Sequence, residues 1–187
     1  YETTPDWELN DVIPRPVTTG QIVVKEMHLS KVGPPLSRHG TILALAQGKD
    51  GRAFATLNVT NPAAPRLLAE WVLPVGSAAS NEPMMYQFPP TAGEPLPVVV
   101  VTGGLGGAST LYAFDIRDGS LHSSIALPAG GSYWAEPVCL DASGAGAITQ
   151  CYVVSSNGLL VRVMVDAGGS FDSASVIFDA SGGRRVF

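Results

Sequence analysis

Two cysteines and three histidines, together with a few Asp-x-Ser and Glu-Pro pairs, are the residues here that could do chemistry. Cys139 and Cys151 flank Asp-Ala-Ser-Gly-Ala-Gly-Ala-Ile-Thr, a turn-rich segment between two apolar stretches. If Pro137–Leu140 and Cys151–Val154 pair as neighbouring strands, the thiols lie across the ladder from each other. A disulfide there closes a short loop and contributes about 2–3 kcal/mol, which suits an oxidising compartment. Two buried free thiols in a reducing compartment are the alternative. Zinc is not expected, because two Cys with His28, His39 and His122 lack ligand spacing. Asp141 and Ser143 resemble the start of a calcium loop, in which oxygens fall on alternate residues. Ala145 interrupts that series and no acidic residue closes it, so a plain hairpin competes with calcium.

Catalytic arrangements are thin. His122 with Ser123, Ser124 and Asp118 contains the residue types of a nucleophilic triad. They crowd one strand, so adjacent side chains point to opposite faces, and no Gly-x-Ser-x-Gly elbow exists. Thr102–Thr110 (TGGLGGAST) is Gly-rich but has no Lys and no helix to follow, so it reads as an inter-strand turn and not a phosphate cradle. Asn58-Val59-Thr60 matches a glycosylation sequon, yet Asn58 lies within a predicted strand, at the position of Asp115 in the middle copy, where side chains bond to the turn. His28 and His39 read as surface or edge residues. Glu82-Pro83 and Glu136-Pro137 recur at equivalent places, which points to a structural role. No catalytic residue and no organic cofactor is expected.

Composition narrows the classes further. The 187 residues carry a net charge of −5, with 45 % hydrophobic and 14 % charged residues. Mean hydropathy is +0.22 and the pI is about 5.0. That is enough apolar material for a core and too little charge for disorder. Nucleic acid is not an expected partner, because Arg184 and Arg185 are the nearest approach to a basic cluster. No run approaches the roughly 18 apolar residues of a transmembrane helix, and Val98–Val101 is strand-sized. No signal peptide is visible. Tyr1 reads as a mature N-terminus or a cut end, and Arg184–Phe187 as the start of another strand.

The elements that must position these residues are written as a repeat. FATLNVTNP (Phe54–Pro62), LYAFDIRDG (Leu111–Gly119) and LVRVMVDAG (Leu160–Gly168) are each an alternating strand running into a turn. They recur roughly every 50 residues, the length of a four-stranded propeller blade. The chain carries 21 glycines and 15 prolines, and they cluster between the apolar runs as turn punctuation. The middle copy gives strands at Asn81–Phe88, Leu96–Gly104, Ser109–Ile116 and Ser120–Pro128, with Asp118-Gly119 in a tight turn. The third gives Ala135–Leu140, Gln150–Ser156, Gly158–Asp166 and Ser173–Asp179. The first gives Val32–Ser37, Thr41–Gly48, Arg52–Val59 and Arg66–Pro74, preceded by a further strand at Gln21–Leu29.

The fold expected is therefore an all-β propeller of four-stranded antiparallel blades, about three and a half of them forming part of a ring. A lead-in and partial blade take residues 1–30, blades take 31–80, 81–131 and 132–180, and a further blade begins at 181–187. A β-sandwich competes, but a sandwich gives no reason to repeat one phrase at one spacing. Trp71 and Trp134 read as packing between blades. The loops at Leu105–Ser109 and Ala129–Tyr133 are the places for function. Leu105, Gly106, Gly107, Tyr133 and Trp134 are the candidate interaction residues.

Three stretches carry a family resemblance. GRAFATLNVTNPAAPRLLAEWVLP (Gly51–Pro74), VVVVTGGLGGASTLYAFDIRDG (Val98–Gly119) and SYWAEPVCLD (Ser132–Asp141) resemble blade phrases of the PilC/PilY proteins of type IV pili. The likeness spans about residues 40–165 and departs at Ala69-Glu70-Trp71, where Trp follows Glu. It implies a C-terminal β-propeller on a large exported protein that acts at the pilus tip in assembly, adhesion and twitching. Partners would be other pilus or cell-surface proteins, or a chain completing the propeller. The location implied is extracellular, cell-surface or periplasmic. The calcium loop of that family has no match here. LYAFDIRDGSL (Leu111–Leu121) also resembles quinoprotein-like propellers, which bind PQQ as dehydrogenases or serve as periplasmic scaffolds. Ser123 and Ser124 stand where their docking Trp is expected. A generic protein-interaction propeller is the third reading.

Overall fold

Alternating β-branched and aromatic runs between Gly and Pro turns favour pleated, half-buried strands, and strands are what form. A computed structural model describes residues 22–28, 39–46, 53–58, 63–64, 66–74, 78–80, 83–89, 95–105, 108–129, 131–144 and 147–180. Among these there is no helix. β1 (Ile22–His28), β2 (His39–Ala46), β3 (Ala53–Asn58) and β4 (Arg66–Val72) form the first sheet in chain order. β5 (Ala78–Ala79), β6 (Met84–Phe88), β7 (Leu96–Leu105), β8 (Ala108–Asp115) and β9 (Leu121–Ala126) form the second. β5 and β6 share one edge of β7, opposite Gly103–Gly104 and Leu96–Val100 respectively. β10 (Val138–Leu140), β11 (Gln150–Val154), β12 (Leu159–Val165) and β13 (Phe171–Asp179) form the third, again in chain order. All pairings are antiparallel. The architecture is all-β, built of propeller-like blades.

One strand sits in a different place from the sequence reading. Gln21–Leu29 reads as a lead-in that precedes the first complete blade. In the structure Ile22–His28 pairs with β2 along its whole length, Ile22 opposite Leu45 and His28 opposite His39. It is therefore the first strand of the first sheet, and the edge of β2 assigned to Val32–Ser37 is already taken. The physical cue was available, since Pro34 and Pro35 offer no N–H to a ladder. Val32–Ser37 and the strand expected at 181–187 lie outside the described residues.

Burial separates the second and third sheets. Val98, Val99, Val100 and Val101 are all fully buried, so β7 is covered on both faces. β12 alternates strictly between buried and half-buried residues, so the third sheet is covered on one. The interface between them holds Val98, Val100 and Leu111 from one side and Val153, Val161 and Val163 from the other. Phe88 and Phe171 meet edge to face across it, with ring centroids 5.8 Å apart. Each such fully buried apolar side chain contributes about 1.5–3 kcal/mol.

Turn chemistry follows the sequence. After β8, the Asp115 N–H donates to the Ser120 carbonyl and Gly119 adopts φ 76°. Gly104 is required for another reason. A Cβ there would lie 2.2 Å from the Ala108 carbonyl oxygen in the β7–β8 hairpin. Gly104→Ala is expected to cost about 1–3 kcal/mol, typical of overpacking against groups that cannot move aside. A shift in the urea midpoint of this variant checks it.

Candidate functional site

The segment that leads into the third sheet, Ser132–Leu140, carries most of the singled-out residues. Alternate side chains are buried and exposed along it. Tyr133, Pro137 and Cys139 point inward, while Trp134, Glu136, Val138 and Leu140 face out. Tyr133 is fully buried. Its hydroxyl donates to the Pro128 carbonyl at 2.8 Å, and its own carbonyl accepts from the Thr102 hydroxyl of β7 at 2.7 Å. It is a bolt between sheets. Trp134, 50 % exposed, is available at the surface.

Further bonds fix this seam. The Tyr86 hydroxyl donates to the Pro137 carbonyl at 2.8 Å. The backbone N–H of Phe171 donates to the Ser123 hydroxyl oxygen at 3.0 Å, and His122 Nε2 lies 3.1 Å from the Gly169 carbonyl. His122 and Ser123 thus tie the second sheet to the third. The bond at the Glu136-Pro137 pair is carried by the proline carbonyl, and Glu136 itself is exposed. Glu82 lies outside the described residues, as do Val59 and Thr60 of the sequon, Gly106 and Gly107. Leu105 ends β7 opposite Ala108. The side chain of Trp71, in β4, also falls outside the description.

Burial pushes the Tyr86 phenol above its ordinary value of 10.0, and the Glu136 carboxylate adds to this, partly offset by the Cys139 backbone. Burial raises Tyr133 as well. A phenol held neutral in the fold contributes stability that is fully present below pH 10. That stability is lost as pH rises through the folded-state values, because the unfolded chain ionises first. The fall in urea midpoint between pH 8 and pH 11 is therefore expected to be smaller in Tyr86→Phe than in the parent chain.

Cys139 and Cys151 stand directly opposite each other on β10 and β11 and form a disulfide, with Cα atoms 3.9 Å apart. Both are buried, and they belong to the core between the second and third sheets. No free cysteine remains. Asp141 and Ser143 also come together. Asp141 Oδ1 accepts the Ser143 N–H at 2.8 Å, the Ser143 hydroxyl at 2.6 Å and the Gly144 N–H at 2.9 Å. The same clip recurs at Asp118, whose Oδ1 accepts the Ser120 N–H at 2.8 Å and hydroxyl at 2.7 Å. The Ser120 hydroxyl, then its backbone N–H, holds the Asp118 carboxyl below its ordinary value. Asp166 Oδ1 takes the N–H groups of Gly168 and Ser170, each at 2.8 Å. Asp115 caps its turn through the Arg117 N–H and pairs with the Arg117 guanidinium. These carboxylates bind turn donors. Among the described residues no group of three His, Cys, Asp or Glu could hold a metal ion, and no helix is long and apolar enough to cross a membrane.

No protein-family model matches this chain, and no curated protein matches its sequence. Its fold resembles that of a solved pilus protein domain. The chain superposes on the crystal structure of the Pseudomonas aeruginosa PilY1 C-terminal domain with a TM-score of 0.59 at 19 % identity. The match covers 78 % of this chain and 29 % of that one, so the chain spans less than a third of the PilY1 domain structure. At this identity the likeness is one of fold, and it agrees with the PilC/PilY wording of Gly51–Pro74.

The sequence did not single out Tyr86 or Thr102. Thr102 had a faint signal, as the one hydroxyl ending an otherwise apolar run in β7. Tyr86 had none, because its partner, the Pro137 carbonyl, lies far along the chain.

Proposed function

We propose that this chain is a non-catalytic β-propeller region of an exported protein that acts in type IV pilus assembly or surface attachment. The observation that carries the reading is the shared fold with the PilY1 C-terminal domain over 78 % of the chain. The buried Cys139–Cys151 disulfide supports a periplasmic, cell-surface or extracellular location. The roles found for His122 and Ser123, both engaged with the third sheet, support a structural use of residues that could otherwise suggest catalysis. Partners are pilus or other cell-surface proteins. The candidate contact residues are Leu105, Gly106, Gly107 and Trp134; Trp134 is exposed, and Tyr133 anchors the segment that carries it.

Deleting the protein in its native host tests the reading. Surface pili and twitching are expected to fall and to return on complementation. Unchanged pili and motility would sink it, and a quinone chromophore in the purified protein would favour the quinoprotein-like alternative. Trp134→Ala should separate binding from folding. As an exposed position it is expected to change stability by no more than about 0.5 kcal/mol while weakening surface attachment. Parallel melting and adhesion assays on the complemented strain check both.

A further inference from the structure

The outer face of the third sheet sets one cation among apolar neighbours. Leu160, Arg162 and Met164 of β12 lie on the side away from the buried core. Directly paired residues share a face. Arg162 therefore stands in a row with Val138, Tyr152 and Ser175, and Met164 in a row with Leu140, Gln150 and Ser173. Phe178, opposite Leu160, is 60 % exposed and Val138 is 54 % exposed. Arg162 Nε is buried and has no hydrogen-bond partner among the described residues. The Tyr152 hydroxyl is already committed, donating to Gln150 Oε1 at 2.6 Å. Neither row holds a carboxylate. Glu136, on the lead-in to β10, lies close enough to Tyr86 of the second sheet to raise its phenol.

A buried guanidinium nitrogen without an acceptor costs free energy and calls for an oxygen partner. The chain carries a segment with the complementary pattern. Residues 1–21 lie outside the described residues. Up to Ile13 they include Glu2, Asp6, Glu8 and Asp11 and no Lys or Arg. In an extended chain Trp7, Leu9, Asp11 and Ile13 share one side. Leu9, Asp11 and Ile13 thus offer an apolar, a carboxylate and an apolar group at the two-residue spacing of Leu160, Arg162 and Met164. The reach is sufficient. Eleven residue steps separate Asp11 from Ile22, where β1 starts. Extended, they span up to about 36 Å, against about 10 Å for each packed sheet.

We infer that the chain's own Trp7–Ile13 segment covers this face, with the Asp11 carboxylate on the Arg162 guanidinium and Leu9 and Ile13 on Leu160 and Met164. The segment caps the stack at its last described sheet, as stacked repeats require of a terminal unit whose outer face is not polar. The carboxylate accepts a charge-assisted hydrogen bond from the guanidinium, which a purely apolar cover does not supply. Tethering to the same chain gives the segment a high effective concentration at the face, which favours it over a second copy. The inference is independent of the pilus role, so either can fail without the other.

Hydroxyl-radical footprinting of Met164 and Phe178 in the 187-residue chain tests it. Deleting residues 1–18, or replacing Asp11 by Arg, is expected to raise labelling of both residues several-fold while the far-UV strand signal stays the same. Arg162→Asp should raise it too. Combining Asp11→Arg with Arg162→Asp should bring labelling back to the wild-type level, a rescue that a merely unstable sheet would not show. Wild-type labelling should not depend on protein concentration. Labelling left unchanged by both the deletion and Asp11→Arg would overturn the inference. So would protection that dilution reverses, which marks the segment of a second copy, or a double variant that labels as strongly as Arg162→Asp alone.

Discussion

Tyr133→Ala is expected to destabilise the chain by roughly 3–5 kcal/mol, the range for emptying a large buried aromatic site. Tyr133 is the largest fully buried side chain among the described residues. Its ring fills the seam between the second and third sheets, and its hydroxyl anchors the preceding loop at Pro128. Its carbonyl receives the Thr102 hydroxyl, so a collapse here also strands a buried donor in β7. A single domain holds only about 5–15 kcal/mol in total, so this variant gives up a large share of it. Tyr133→Phe keeps the ring and loses one hydrogen bond, worth about 1 kcal/mol. Urea unfolding of both variants checks the argument. Similar losses for the two would show that the ring is not the bolt described here.

The second large effect is at the disulfide. Replacing Cys139 and Cys151 together by Ala is expected to cost about 3 kcal/mol from loop closure alone, given the sequence separation of 12. Lost packing adds to this, since both residues sit in the inter-sheet core. The double variant should therefore melt earlier than the parent, and a reductant should lower the parent to nearly the same temperature while leaving the variant alone. A parent chain indifferent to reductant would contradict the role assigned to this bond.

Strand positions in the second and third sheets were legible because their alternation and their Gly turns agree. Leu96–Gly104 became β7 and Gly158–Asp166 became β12 with ends shifted by a residue or so. The first blade is less legible, because only Pro34 and Pro35, which offer no N–H to a ladder, argue that Ile22–His28 rather than Val32–Ser37 pairs with β2. The cysteine pair was legible, since two strands flanking one turn set their residues opposite each other. Asp141 and Ser143 were legible as neighbours, while their turn-clipping geometry became plain only beside the matching clip at Asp118 and Ser120. Tyr133 was singled out for the surface and proved to be the anchor beneath it. In a segment of strict alternation, a one-residue difference in phase exchanges the buried and the exposed side chain, and nothing local fixes that phase. Trp134, next along the chain, holds the exposed position.

The central claim is a blade protein exported to the pilus and locked by one disulfide. Its most direct test is to shear pili from the native host and assay the pilus, periplasmic and cytoplasmic fractions for this protein by mass spectrometry under non-reducing conditions. The account predicts recovery with the pili, with the peptides bearing Cys139 and Cys151 joined. Recovery confined to the cytoplasm, with both thiols free, would contradict it.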